Sequence, residues 1–557
     1  MRPGDVEHLG PRFGSRQRPA RARTLIALLI ALFLGLLGAR VSRAAGDSGT
    51  GAAGPIATVP APLQTGAAPA PDTGAATSSG APSSSGAADA GTAAAADAGP
   101  GLFEQSTTAA AANGSGRAPA AAVPGPFTLT GYVRGDLFAG KVSGASAAEL
   151  KSGTGELALQ LRTAKEPRGD GFAEARIRYG LQGDQQQGTI VDLREAYVNL
   201  YAGPVDLRLG QQIIVWGRAD ALNPTNNLTP VDFRIRSPLE DDIRLGNLGA
   251  RGFVRFAPAP FRLEGVWMPI YLPTELPAVA LPQYVAYGQP VFPSLNLRNG
   301  TEAARLHLEL PAIEMSISYL YGYAPLPGLT LTGLTLTADA MGNPSTTVPP
   351  SVLVSRTAYD QQVIGFDFST ALGDVMTLRG EAAYRKPFDY QDKIYAARPD
   401  LQYVVGADHT FGSLSVIAQY MGRYVFDWQK QNGPMMTLDP SVLPMEQMSD
   451  APFVSNIVNA QLAKTNQILL SQTARVQHLA TLRFEWLGAH ETLSLSSLCM
   501  LNFTTHEWLI TPRIGYRVSD ALTIYVGAQV FHGPTDTLFG LIDAELSAGY
   551  AELRFTF

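Results

Sequence analysis

Between Phe127 and the terminal Phe557 the chain alternates apolar and polar side chains over long stretches, a period of two that extended strands satisfy. In FTLTGYVRGDLFAG, residues 127–140, Phe127, Leu129, Val133 and Leu137 share one face. Thr128, Thr130, Tyr132, Arg134 and Asp136 take the other. FAEARIRYGL sets Ala173, Ala175, Ile177 and Tyr179 against Glu174, Arg176 and Arg178. EAARLHLEL sets Ala304, Leu306, Leu308 and Leu310 against Arg305, His307 and Glu309. MTLRGEAAYR sets Met376, Leu378, Ala382 and Tyr384 against Arg379, Glu381 and Arg385. The phase slips near Glu195 and breaks at Gln211, as bulges would make it do.

A soluble sandwich also alternates, but its strands are usually shorter and its outer face is wet. Many segments here run roughly ten residues or more, the length a tilted strand needs to cross a bilayer. Short links at Glu166–Asp170, Gly203-Pro204, Ala257–Pro260, Gly373-Asp374 and Gly412-Ser413 alternate with long ones near 218–248, 272–299, 325–356 and 428–472. That rhythm predicts an all-β fold: a transmembrane antiparallel β-barrel of about 18 strands (16–18) over residues 126–557. An even count returns both ends to one side. The apolar face then meets lipid, and the arginine–aspartate face lines a wet interior.

The N-terminal part reads differently. Arg12, Arg16, Arg18, Arg21 and Arg23 precede an apolar run from Thr24 to Ala39, followed by VSRAAG. This is the pattern of a secretory signal peptide over residues 1–45, with an uncleaved anchor helix as the alternative. Residues 46–125 are an Ala/Gly/Ser/Pro tract that offers too little apolar area to offset its ordering entropy. It predicts a disordered linker in the periplasm, either a spacer that reaches the cell wall or a simple tether. The net charge of −6 gives no case for nucleic acid, and the single Cys499 excludes an internal disulfide and a cysteine-based zinc site.

LRLGQQIIVWGRADALNPTNNLTPVDFRI, from Leu207, resembles the shared element of a proteobacterial porin-like family of unknown function, and more distantly alginate-exporter-type barrels. Gly210, Gln212, Trp216, Gly217, Asp220, Asn223, Pro224, Pro230 and Asp232 carry the resemblance, which spans roughly residues 190–260. The resemblance implies an outer-membrane channel or transporter and supplies no substrate. The long Ala/Gly tract departs from that pattern. The terminal YAELRFTF, with Leu553, Phe555 and Phe557 alternating to the end, resembles the recognition signal for the barrel-assembly machinery.

The cargo must be argued from the inward face. It is expected to carry Arg134, Arg162, Arg176, Arg178, Arg208, Arg251, Arg255, Arg305, Arg379, Arg385 and Arg483. Arg262, Arg423, Arg475, Arg513, Arg517 and Arg554 join them. The inward acids are fewer: Asp136, Glu174, Asp206, Glu264, Glu309, Glu381, Asp408, Glu485 and Glu552. A confined field of that sign favours anions, and the guanidinium fork suits carboxylate and phosphate. Cross-strand pairing that merely fixes register is the competing reading. Loop 218–248 is long enough to fold inward, where Asp220, Asn223, Asp232, Arg234 and Arg236 would form a constriction; an exposed cap is the alternative. Residues 451–472 have helical apolar spacing and would pack on neighbouring loops, with a cap over the outer mouth or a plug in the pore as alternatives.

No HExxH spacing, GxSxG elbow or phosphate loop appears, so the chain is not read as an enzyme, and no cofactor or metal is implied. The sequence thus predicts an integral outer-membrane, porin-like channel for small anionic solutes, in contact with membrane lipid. A plugged surface adhesin or scaffold, and an export duct for an anionic polymer, remain as alternatives.

Overall fold

A computed structural model describes residues 126–557 except 142–146, 183–185, 277–283, 298, 337–349, 374 and 432–449. The expected leader (1–45) and linker (46–125) lie outside the described residues. The wall begins with β1 (Phe127–Lys141), β2 (Ala148–Thr163), β3 (Gly169–Gln182), β4 (Gln186–Ala202), β5 (Val205–Gln212), β6 (Asn247–Arg255) and β7 (Phe261–Met268). β8 (Val285–Tyr287) stands apart from it. The wall resumes with β9 (Thr301–Glu309) and β10 (Ile313–Tyr323). β11 (Gly328–Thr335) and β12 (Ser351–Thr357) join β8 in a separate three-stranded sheet. β13 (Asp360–Leu372), β14 (Met376–Pro387), β15 (Asp400–Phe411), β16 (Leu414–Val425), β17 (Val476–Gly488) and β18 (Leu493–Asn502) continue the wall. It ends with β19 (Trp508–Ile510), β20 (Arg513–Arg517), β21 (Leu522–His532) and β22 (Ala548–Thr556).

Each wall strand pairs antiparallel with the next, and β22 pairs with β1, so the sheet closes on itself and has no edge. Gly131 and Phe557 exchange both backbone hydrogen bonds at 2.9 Å across this seam. β19 and β20 both lie between β18 and β21 and are two halves of one strand. The break falls at Pro512, which has no N–H to give the ladder. Counted that way, the barrel has 18 strands.

The faces follow the alternation. Leu129 and Leu137 are 60% and 57% exposed on the outside, whereas Arg134 and Asp136 between them are 3% and 2% exposed on the inside. Ile177 and Tyr179, then Leu553, Phe555 and Phe557, continue the exposed outer face. Leaving such side chains in water forfeits roughly 1.5–3 kcal/mol each relative to burial, so this face belongs in hydrocarbon. No helix among the described residues is long and apolar enough to cross a membrane; the crossing is made by strands.

Short links such as 203–204, 256–260 and 412–413 gather at the rim where the chain ends, and the long connections gather at the other. α1 (Ala451–Leu469) is capped by the Asp450 side chain, which accepts from the Phe453 N–H at 3.4 Å. Val454, Val458 and Leu462 pack on Val285, Leu331, Val352 and Val354 of the separate sheet, so the helix rests on neighbouring connections. α2 (Leu538–Leu546) starts at Thr537, whose hydroxyl accepts from Gly540 N–H at 3.3 Å. Its Leu538, Phe539 and Ile542 meet Ile468 of α1 and Leu222.

Three elements depart from the alternation. β5 leaves the wall after Gln212, although the apolar run Ile213–Trp216 follows it. The connection near 325–356 holds β11 and β12. In β4, Glu195 lies opposite Glu174 and Leu193 opposite Ala175, which makes Arg194 the extra residue of a bulge.

Candidate functional site: a loop folded into the lumen

Residues 213–246 leave the top of β5, lie inside the barrel and return to β6. The residues of the Gly-x-Gln…Trp-Gly stretch build that departure. Gly210 has φ +133°, and a side chain there would strike the backbone of Ala196. Gln212 is buried and donates to the Gly249 carbonyl at 3.1 Å. Gly217 has φ +102° and no room for a Cβ against the Asn223 amide. Asn223 closes the turn: its Nδ2 donates to the Trp216 carbonyl at 2.6 Å, and its Oδ1 accepts from Asn226 N–H and from the Thr225 hydroxyl, both at 3.1 Å.

One flank of the loop is held by apolar contact. Ile214, Trp216 and Leu228 pack on Val266, Met268, Ala303, Leu320, Val363 and Ala383, inward residues of β7, β9, β10, β13 and β14. Trp216 is 1% exposed, and its indole N–H donates to Glu264 Oε1 at 2.9 Å. Nearby, the Glu381 carboxylate accepts from the backbone N–H groups of Arg218 and Ala219, and from the Thr225 hydroxyl at 3.0 Å. Arg218 pairs with Asp367 at 2.9 Å and Glu314 at 2.8 Å.

The other flank is held by charge. Asp242 pairs with Arg134 at 2.5 Å and Arg176 at 2.6 Å, and Asp241 pairs with Arg194 at 2.5 Å. Arg178 pairs with Glu156 across the strands. Between the flanks, Arg483 bridges Asp220 at 2.6 Å and Glu240 at 2.8 Å.

This arrangement corrects the expected arginine surplus. Glu240, Asp241 and Asp242, which belong to loop 218–248 and not to a strand, lie in the lumen because the loop carries them there. Glu156, Asp367 and Asp400 add inward carboxylates that the sequence reading missed. Arg251 pairs with Glu264 at 2.8 Å, Arg255 with Asp206 at 3.1 Å, Arg305 with Asp367 at 2.7 Å, Arg379 with Asp408 at 2.5 Å and Arg385 with Asp400 at 2.6 Å. Arg208 donates to Asn199 at 2.8 Å and lies over the Tyr197 ring. Arg162 is exposed near the short-link rim, over Phe172.

Of the residues expected at a constriction, Asp220, Asn223 and Asp232 are buried in the loop, and Asp232 pairs with Arg234 at 2.7 Å. The Arg234 side chain is itself half exposed. Arg236 reaches away to the Glu545 carbonyl at the end of α2, where Lys151 also donates to Ala544 at 2.5 Å.

Burial pushes the Asp242 carboxyl up, but the Arg134, Arg176 and Arg194 guanidiniums outweigh it and hold the group well below the usual range. For Asp220, burial wins over Arg483 and raises the carboxyl. A depressed carboxyl stabilises fully above its unfolded value, about 3.9, and loses that contribution as pH falls through the folded value. The stability gap between wild type and Asp242→Asn should therefore stay constant from neutral to about pH 5 and shrink only in stronger acid. Urea unfolding across that range checks it; a gap that closes near neutral pH would mean that Asp242 is not held as an anion.

Residues 128–279, which span β1 to β7 and the whole inward loop, match a family model. Its description is "Protein of unknown function (DUF1302)". The chain is also similar in outline to several solved structures. OccAB3 of Acinetobacter baumannii is 10% identical, with a TM-score of 0.43 over 77% of this chain and 99% of that one. Pseudomonas aeruginosa OpdK, solved with vanillate, is 8% identical, with a TM-score of 0.44 over 77% and 98%. A BenF-like porin from Pseudomonas fluorescens Pf-5 is 10% identical, with a TM-score of 0.45 over 77% and 98%. No curated protein matches the chain.

Proposed function

We propose that the protein is an integral outer-membrane channel through which small solutes pass along the inward loop. The observation that carries this reading is a closed, lipid-facing barrel whose charged interior is crossed by one ordered segment, residues 213–246. That segment narrows the lumen and sets what passes. Loop acids and wall acids together pair with most wall arginines, so the field that selects solutes is local and the anion preference is weak. It comes from Arg385 and Arg423, which share the single carboxylate of Asp400.

The test is reversal potential in a salt gradient across a planar bilayer. A modest anion preference is expected, larger at low salt, because the Debye length grows from about 3 Å at 1 M to about 30 Å at 0.01 M. The Arg385→Gln, Arg423→Gln double variant should lose it. Cation selectivity in the wild type would overturn the assignment.

The same reading places the linker in the periplasm and gives Phe557 a part in assembly. Its ring lies against Gly131 at the closing seam. Phe557→Ala should lower the yield of heat-modifiable, folded barrel in cells at native expression. An unchanged yield would remove Phe557 from assembly.

A further inference from the structure

A chamber of about 130 Å³ lies at the long-connection end of the lumen. Part of its lining is apolar: Leu222 of the loop, Met421 and Leu479 of the wall, Ile468 and Leu469 of α1, and Leu538 of α2. Another part is cationic. Arg385 gives Nε and Nη2 to Asp400 at 2.9 and 2.6 Å, and Arg423 gives Nε to the same carboxylate at 2.7 Å. Gln402 adds a third donor to Asp400 at 3.2 Å.

Two guanidiniums therefore face one carboxylate, which leaves one positive charge in excess. The other anchors differ: Arg483 meets two acids, and Arg251 has Glu264. Among the described residues, Nη1 of Arg385 and Nη2 of Arg423 make no hydrogen bond, and both residues line the chamber. Glu507 also lines it and carries a negative charge, but among the described residues it pairs with neither arginine: its oxygens accept from the Phe539 N–H at 2.7 Å and from the Thr505 hydroxyl.

We propose that this chamber binds a small amphiphilic monoanion. The head, a carboxylate or an anion of similar size, takes the remaining donors of Arg385 and Arg423, whose fork geometry suits it. The hydrocarbon body lies against Leu222, Ile468 and Leu469. An apolar cavity of about 150 Å³ accepts benzene, so a body of about six carbons is the scale that fits here. The proposal deepens the channel reading by naming a solute class and a place where that solute pauses.

The probes are n-alkanoates from butyrate to octanoate and their uncharged amides, titrated calorimetrically into the full chain folded in a maltoside detergent. Affinity for the alkanoates should rise about fourfold per methylene until the chamber is full, and then level off. Hexanoate should bind about tenfold or more tightly than hexanamide. Arg423→Gln should bring hexanoate to the level of the amide. Because that change disturbs Asp400, a second variant leaves the charges alone: Leu469→Trp fills the chamber and should abolish binding of both probes. Equal binding of acid and amide would overturn the proposal, as would no binding by wild type or binding unchanged by Leu469→Trp. Binding in detergent does not require conduction, so failure here leaves the channel reading standing, and a non-conducting barrel that binds hexanoate leaves this one standing.

Discussion

Replacing Asp242 with alanine should lower the stability of the folded barrel and raise its single-channel conductance. Asp242 is the carboxylate that Arg134 and Arg176 share at 2.5 and 2.6 Å, with all three side chains nearly excluded from solvent. Removing one partner of a buried ion pair costs about 3–5 kcal/mol when the other charge is left uncompensated, and the loss here should fall below that because Arg134 and Arg176 retain other carboxylates. The guanidiniums keep Asp136, Glu156 and Glu174, so the wall itself should stay paired. The lost anchor is the one that draws the loop to β1 and β3. The loop should therefore swing off that flank, and the lumen should widen. Heat-modifiability and planar-bilayer recording read the two effects. Unchanged conductance with lowered stability would place the solute path elsewhere.

Trp216→Ala should produce a change of similar size from the opposite flank. The indole is buried in an apolar patch contributed by five strands, and truncating a buried Trp costs about 3–5 kcal/mol. Trp216→Phe keeps most of that contact and loses the hydrogen bond to the Glu264 carboxylate, a bond worth about 1.5–3 kcal/mol. The phenylalanine variant should thus lose less stability than the alanine variant and hold the loop in place, and the alanine variant should conduct more. If the loop moves as one body, the Asp242→Ala and Trp216→Ala effects on conductance will not add. Strict additivity would show two independent contacts and no common segment.

The wall was legible in the sequence because each strand states its two faces directly. The β1 and β3 assignments follow from single stretches such as FTLTGYVRGDLFAG, without knowledge of any partner. The bulge at Arg194 shows where that signal stops. Arg194 and Glu195 interrupt the period of two, so a phase slip is visible but its consequence, Arg194 reaching Asp241, is not. Glu156 is in phase with Arg162, because Leu157, Leu159 and Leu161 mark the outer face of that strand, so its inward position is also written in the sequence.

The candidate site was much less legible. Residues 213–246 have no period, so sequence alone left an inward fold and an exposed cap equally open. The three acids at 240–242 look like a solvated run until Arg134, Arg176 and Arg194 are placed around them. The apolar seat of Trp216 is scattered over five strands, each contributing one or two residues such as Val266, Leu320 and Val363 that read as ordinary alternation. Only strand pairing brings them together.

Single-channel recording of the purified full-length protein in planar bilayers, with wild type and Asp242→Ala under the same salt, shows whether the barrel conducts past the inward loop. Discrete small steps are expected for wild type and clearly larger ones for Asp242→Ala. No steps from either protein, with both folded and inserted, would contradict this and leave a barrel that does not conduct.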